Sequence, residues 1–162
     1  MKIQEIKLTE LSRINDLAKK TWFDTYKSIL KEDQLIYMFD MMYNIKNLEH
    51  NMKNGSSFYI IYDREDVGFV EYIIKDKVVK LNKIYVTPNQ QGKGIGKTLI
   101  KFVCDIAKKQ RKQQVELNVN RYNKAVNFYL KENFKIIKDE NIDIGRGFLM
   151  EDFVMRKLII GR

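Results

Sequence analysis

The chain has 162 residues, of which 44% are hydrophobic and 31% charged, and its formal net charge is +9. This composition is typical of a soluble globular protein and excludes a membrane-spanning one, because no apolar stretch approaches the roughly 20 residues that cross a bilayer. Because a chain of 162 residues has the size of one ordinary domain, we expect a single domain over residues 1–162. The lone cysteine, Cys104, excludes an internal disulfide, so we expect the protein in the reducing cytoplasm.

The first third of the chain predicts a short strand followed by helices. Residues 2–8 alternate in the manner of a strand, and apolar residues at three- and four-residue spacing begin a helix at Thr9. A second helical pattern covers residues 32–52 and is interrupted near Asn44. The helices therefore precede the main strands.

The rest of the chain alternates between strand and helix patterns. The predicted elements are strands at 57–62, 67–75 and 78–86, a helix from Ile95, a strand at 114–119, a helix at 123–132, and strands at 134–140 and 148–160 around a loop at 143–147. The first three strands read as an antiparallel meander. This order predicts an α+β fold, with a mixed and mostly antiparallel sheet that carries helices on both faces.

The positive charge is confined to the second half of the chain. Residues 1–81 carry as many acidic as basic side chains, whereas residues 82–138 carry 13 basic and only 3 acidic ones. This basic stretch includes a glycine-rich loop. It therefore predicts a polyanionic ligand such as a nucleotide or a coenzyme.

Three glycines, Gly92, Gly94 and Gly96, lie between a predicted strand and an amphipathic helix. Such a turn directs several backbone N–H groups at one point beside the positive end of a helix dipole, which is the geometry of an anion site. A P-loop is excluded, because three residues rather than four separate Gly92 from the Gly-Lys-Thr that begins at Gly96. The dinucleotide fingerprint GxGxxG is excluded too, because these glycines alternate as GxGxG.

Two stretches of the chain resemble a known family. In IYVTPNQQGKGIG, Gln91 is followed by two residues and then by Gly94-x-Gly96, after a hydrophobic strand; the second stretch is VELNVNRYNKAVNFYLKENFKII. They resemble the coenzyme-A-binding motif and the next strand–helix motif of the GNAT superfamily of N-acetyltransferases. The resemblance implies a GNAT-like acyl-CoA N-acyltransferase fold, with acetyl-CoA as co-substrate and an amine as acceptor.

The same resemblance implies a binding surface for the coenzyme. In the family, the strand before the loop splays from its neighbour and pairs with the pantetheine arm, and the N–H groups of the loop bind the pyrophosphate. Carried over, coenzyme binding is assigned to Ile84, Tyr85, Val86, Gln91, Gly92, Lys93, Gly94, Ile95, Gly96, Lys97, Thr98, Asn123 and Lys131. Asn133 replaces a family glycine, and we expect the left-handed turn to survive because asparagine tolerates that conformation.

The catalytic groups are also implied by the resemblance. Tyr129 matches the family tyrosine whose hydroxyl lies near the coenzyme sulfur and protonates the departing thiolate, although a tyrosine here could instead pack beside Phe128. The strand that often carries a glutamate in relatives has none here. The base is therefore open between Glu71, Glu116 and a water held by Asn82.

The acceptor amine is the least determined part of the predicted function. TWFDTY (21–26) and IDIGRGFLMEDFVMRK (142–157) resemble PaiA-type polyamine acetyltransferases, which implies a small-molecule cationic amine as substrate. The acids expected on the acceptor side are Asp24, Glu32, Asp33, Asp40, Glu49, Glu151 and Asp152. A protein or peptide amine stays open as the acceptor, and so does a non-catalytic sensor of coenzyme A or acyl-CoA.

Other partners are not expected. The sole histidine, His50, has no metal-ligand partners nearby in sequence, so we expect no metal. The basic run at 108–112 lacks a recognition helix or an aromatic stacking platform, so we expect no nucleic acid, and we expect no membrane partner. The oligomeric state is open, a homodimer included.

Overall fold

The strand and helix patterns form twelve elements over residues 1–159, which the computed structural model describes. The strands are β1 (Lys2–Glu5), β2 (Ser57–Tyr62), β3 (Asp66–Ile74), β4 (Val78–Val86), β5 (Gln114–Asn120), β6 (Lys135–Asp143) and β7 (Leu149–Leu158). The helices are α1 (Ser12–Tyr26), α2 (Glu32–Tyr43), α3 (Ile45–Lys53), α4 (Ile95–Lys109) and α5 (Ala125–Lys131). None of the helices in this part of the chain is both long and apolar enough to cross a membrane.

The seven strands form one sheet in the order β1-β2-β3-β4-β5-β7-β6. Neighbouring strands are antiparallel except β4 and β5, which are parallel. A parallel pair needs a crossover connection, and α4 supplies it between β4 and β5. The predicted α+β fold with a mixed, mostly antiparallel sheet is therefore confirmed.

Helices cover both faces of the sheet, because apolar side chains alternate along the strands. Ile60 and Ile61 are consecutive and fully buried, yet they belong to opposite layers. One layer contains α4 and α5, with Leu99 and Tyr129 in its core. The other contains α1, α2 and α3 around Trp22. The end of β4 therefore lies between two helical layers.

The boundaries near the N-terminus differ from the prediction. β1 ends at Glu5 instead of continuing to residue 8, and α1 begins only at Ser12. A 3₁₀ turn over Leu8–Glu10 lies between them. It forms because the Glu10 carboxylate accepts a hydrogen bond of 3.0 Å from the Lys7 backbone N–H, which favours a turn over a strand.

Two predicted turns are confirmed at asparagines. Asn44 has an extended backbone, and its side-chain oxygen accepts a hydrogen bond of 2.8 Å from the Asn47 N–H, so it ends α2 and caps α3. Asn133 has a φ of 70° and ends α5 in the left-handed conformation.

The β6–β7 hairpin is longer than predicted at its tip. β6 continues to Asp143 because its pairing with β7 extends to the Asp143–Leu149 pair. β7 ends at Leu158, and residue 160 of the predicted strand lies outside the described residues. The loop between them, residues 144–148, reaches α2.

Candidate active site

The last five residues of β4 leave their neighbour β5. β4 pairs with β5 only over residues 78–81, opposite residues 114–117, but it pairs with β3 as far as Val86. Residues 82–86 thus have no strand partner on the β5 side. An unpaired strand edge can bind an extended, amide-bearing ligand through backbone hydrogen bonds. A cleft of about 910 Å³ opens at this point.

The loop after β4 is held open by glycines in the left-handed conformation. Gly92 and Gly94 both have a φ of 82°, and a Cβ atom added to either would meet no atom within 4 Å. The side chain of Gln91 donates a hydrogen bond of 3.1 Å to the Val86 carbonyl and fixes the loop to the end of the strand. The open space and the free N–H groups of the first turn of α4 give this loop the geometry that favours an anion.

Glycine is needed at the third position, Gly96, for a different physical reason. A Cβ atom on Gly96 would lie 3.2 Å from the ring of Phe128. Glycine at this position therefore allows α5 to approach the first turn of α4 closely. Both helix starts meet in the same wall of the cleft.

Tyr129 is buried in α5 and lines the cleft. Burial raises the pKa of its hydroxyl well above the ordinary value, and the neighbouring Tyr26 raises it further. The hydroxyl therefore keeps its proton over the physiological range and can donate a hydrogen bond to a developing anion.

Asn123 connects α5 to α1. Its side-chain oxygen accepts a hydrogen bond of 2.9 Å from the Ala125 N–H, and its amide nitrogen donates one of 3.2 Å to the Tyr26 hydroxyl. Burial raises the pKa of Tyr26, the hydrogen bonds from Tyr85 and Asn123 lower it, and the negative charge of Asp152 raises it. Tyr26, Tyr129 and Asp152 thus share one end of the cleft.

Most of the residues assigned to the coenzyme come together in this cleft. Those that line it are Ile84, Tyr85, Val86, Gln91, Gly92, Gly94, Ile95, Gly96, Lys97 and Asn123. Asn82 lines it as well. Outside it lie Lys93, Thr98 and Lys131. The hydroxyl of Thr98 donates a hydrogen bond of 3.0 Å to the Gly94 carbonyl, four residues earlier in the chain, so its hydrogen is used within the first turn of α4.

Glu71 is not brought to the cleft. It is fully buried, with Lys83 Nζ 2.6 Å from one carboxylate oxygen and the hydroxyl of Ser56 donating to the other at 2.7 Å. Both oxygens are therefore occupied on the α1–α3 side of the sheet. This environment indicates a structural ion pair.

Glu116 is not brought to the cleft either. Desolvation raises its pKa, but Arg156 at 2.8 Å and Lys80 at 3.2 Å outweigh this and hold the pKa below the ordinary value. A carboxylate with a lowered pKa is a weak base. The two glutamates proposed from the sequence thus lie in ion pairs, and neither lines the cleft.

Only some of the acids expected on the acceptor side line the cleft. Asp24 and Asp152 line the cleft, whereas Glu32, Asp33, Asp40, Glu49 and Glu151 do not. Asp24 is exposed and pairs with Lys27 at 3.2 Å, but Asp152 is buried. A sequence signal for its burial exists: Asp152 alternates with Met150 and Val154, both of which face inward on β7.

The far end of the cleft is lined by Gln34 and Met38 of α2 and by Leu149 and Met150 at the start of β7. The hydroxyl of Tyr37 donates a hydrogen bond of 2.6 Å to the Ile144 carbonyl, and the side chain of Gln34 donates one of 2.9 Å to the Leu149 carbonyl. The guanidinium of Arg146 lies over the Tyr37 ring at 5.0 Å. These contacts hold α2 against the β6–β7 hairpin.

Comparisons with known proteins agree with this geometry. The family model of the acetyltransferase (GNAT) domain matches residues 28–153. The chain is 28% identical to the spermidine N(1)-acetyltransferase of Thermoplasma acidophilum, over 93% of this chain and 96% of that protein. It also resembles the solved structure of the PaiA N-acetyltransferase from Thermoplasma acidophilum in complex with coenzyme A, at 27% identity and a TM-score of 0.81, over 97% and 98% of the two chains.

A more distant solved structure supports the fold alone. The GCN5-related N-acetyltransferase of Rhodopseudomonas palustris is 14% identical, with a TM-score of 0.83 over 97% of this chain and 94% of that one. The family model matches most of the chain, and the splayed strand and the glycine loop agree with it, so the family of the protein is established. It belongs to the GNAT family of acetyltransferases.

Proposed function

We propose that the protein transfers the acetyl group of acetyl-CoA to a primary amine of a small cationic acceptor, of which a polyamine is the first candidate. The observation that carries this proposal is the single cleft that joins the free edge of β4, the first turn of α4 and the hydroxyl of Tyr129. The lone, buried thiol of Cys104 suits the cytoplasm as the place of this activity.

The donor would lie along two backbone surfaces. The amides of its pantetheine arm would pair with residues 82–86, whose β5 side is free. Its pyrophosphate would lie on the N–H groups of the glycine loop and of Gly96 and Lys97 at the start of α4. Lys97 adds a positive charge at the same place.

The chemistry then follows from the position of Tyr129. A neutral amine attacks the thioester carbon, and the tetrahedral intermediate collapses with the electron pair of the C–S bond left on sulfur. Because burial raises the pKa of Tyr129, its O–H stays protonated and stabilises the departing thiolate by hydrogen-bond donation as the proton moves towards sulfur.

The acceptor class is supported by the relative and by charge. The relative at 28% identity is named for spermidine, and Asp24 and Asp152 are among the carboxylates that line the cleft. They would attract a polycation and hold its terminal ammonium. A protein or peptide amine is the second candidate acceptor, and a coenzyme A sensor without turnover is the candidate of another class.

A thiol-release screen tests these alternatives. The protein is mixed with acetyl-CoA and, in turn, spermidine, spermine, a lysine peptide, a neutral amine and an amino acid, and free thiol is measured over time. We expect the fastest release with the polyamines. Faster release with the lysine peptide would favour a peptide acceptor. Tight coenzyme binding by calorimetry without thiol release from any amine would favour the sensor.

A further inference from the structure

Asp152 occupies a distinctive position in the sheet. On β7 it lies opposite Asn120 of β5 and Glu140 of β6, and its side chain is 3% exposed. The pairing of β4 with β5 has ended three residues before Asn120, at Leu117. The carboxylate therefore lies in the wedge where the two strands separate, and it forms part of the cleft wall.

One oxygen of Asp152 is held and the other is free for a ligand. Asn118 donates a hydrogen bond of 3.2 Å from Nδ2 to Oδ2 of Asp152, and Oδ1 has no hydrogen-bond partner among residues 1–159. Asn118 is itself oriented by Lys80, whose ammonium donates to its side-chain oxygen at 2.6 Å. The amide of Asn118 is thereby fixed with its NH₂ towards Asp152.

No cation neutralises Asp152 within the described part of the chain. Lys80 is paired with Glu116, and Arg121 with Asp139 at 3.1 Å. Burial raises the pKa of Asp152; the hydrogen bond from Asn118 and the charges of Arg121 and Lys80 oppose the rise, and Glu140 on β6 adds to it. Tyr26 of α1 faces the same carboxylate.

The contrast with Glu71 makes this arrangement informative. Glu71 and Asp152 are the buried carboxylates among residues 1–159, and Glu71 has its cation, Lys83, at 2.6 Å. A buried carboxylate without a cation is unfavourable unless a charged ligand completes the pair. The cleft offers the space for such a ligand beside Oδ1.

We propose that Asp152 binds the ammonium group of the acceptor and removes the proton that blocks nucleophilic attack. This inference rests on the proposed function, since it names the group that receives the amine in the same cleft. It assigns the base to β7, instead of to Glu71, Glu116 or a water held by Asn82.

The ammonium gives one proton to the carboxylate of Asp152, which later releases it to solvent, and the freed lone pair of nitrogen forms the new bond to the thioester carbon. The C–S bond breaks with its electron pair on sulfur, and the second nitrogen proton offsets the proton that Tyr129 supplies to the thiolate. Each turnover therefore yields one amide, one thiol and one proton.

The test is the substitution Asp152→Asn, which keeps the size of the side chain. We expect kcat/KM for spermidine at pH 7 to fall by about 100-fold, the usual scale for loss of a general base. The pH profile should also change: kcat/KM of the variant should keep rising towards the pKa of the amine itself, because only amine deprotonated in solution can then react. For an arylamine, which is uncharged at pH 7, the loss should be within about threefold.

A matched control is Asp105→Asn, the same change at an exposed acid of α4 that pairs with Lys101 and lies outside the cleft. It should leave kcat/KM and its pH profile as in the wild type. Melting curves and the affinity for coenzyme A should be unchanged in Asp152→Asn, since an uncharged amide is easier to bury than a carboxylate. Equal losses for spermidine and the arylamine, or an unchanged pH profile, would overturn the proposal.

A second measurement separates this inference from the proposed function. Spermidine is titrated calorimetrically into the coenzyme A complex of each protein, where no acetyl group can be transferred. Weaker binding to Asp152→Asn than to the wild type supports a cation site even if no turnover is found with any amine. Equal binding to both proteins overturns it, even if the protein proves to be an active acetyltransferase.

Discussion

Replacing Gly94 by aspartate tests the anion site of the glycine loop most directly. Gly94 has a φ of 82° with no atom within 4 Å of an added Cβ, so the change costs backbone strain without a steric clash. The strain amounts to about 1–2 kcal/mol of the free energy of unfolding. The new carboxylate, about 5 Å from a phosphate, would repel it by about 3 kcal/mol at an effective dielectric constant near 20, a loss of affinity of about two orders of magnitude.

The chain contains a matched control for the strain. Gly147 has a φ of 78° and the same open surroundings, but it lies in the loop at residues 144–148 and does not line the cleft. Gly94→Asp and Gly147→Asp should therefore lose similar stability in urea, whereas only Gly94→Asp should lose affinity for coenzyme A in calorimetry. Equal affinities in the two folded variants would refute an anion site at this loop.

Three further predictions concern catalysis, stability and the acceptor. Tyr129→Phe should lower kcat about 10- to 100-fold in the thiol-release assay and leave coenzyme affinity unchanged; wild-type turnover, with chemistry rate-limiting, would assign the tyrosine to packing. Lys83→Met should lower the free energy of unfolding in urea by about 3–5 kcal/mol, because it leaves Glu71 buried without its cation. Adding Glu71→Gln should recover most of this stability. An equal loss in the double variant would contradict the ion-pair account. Asp24→Asn should raise the KM for spermidine up to about fivefold at low salt and less at high salt, on the scale of an exposed charge. Asp33→Asn, which lies outside the cleft, should leave this KM unchanged. A KM that is the same in both variants as in the wild type would exclude attraction by Asp24.

Local signals in the sequence predicted the strand, the glycine loop and the helix start that line one part of the cleft. The strand before the loop, the glycines and the helix start are contiguous, so their geometry depends on nearby residues such as Gln91, which fixes the loop to the Val86 carbonyl. The turn at Asn133 was predictable for the same reason. The short β1 was not, because a single hydrogen bond from the Lys7 N–H to Glu10 outweighs an alternating pattern.

The sequence alone could not choose among the candidate bases, because the environment of a carboxylate is decided by distant partners. Glu116 is paired with Arg156, 40 residues away, and the strand register that joins them is not visible in a single sequence. Asp152 depends on Asn118 and on the point where β4 leaves β5. Burial and pairing therefore distinguish acids that look alike in the sequence.

The contacts between α2 and the β6–β7 hairpin have a consequence for the order of folding. The two hydrogen bonds between α2 and the hairpin join residues that are 107 and 115 positions apart in the sequence. In contrast, the splayed strand, the glycine loop and α4 form one contiguous stretch of chain. Contacts between distant segments require the closure of long loops, so they form late and open first. We therefore expect the amides of residues 144–148 to exchange hydrogen faster than those of α4. Substitutions that break the contacts between α2 and the hairpin should leave the fold of the glycine loop and α4 unchanged.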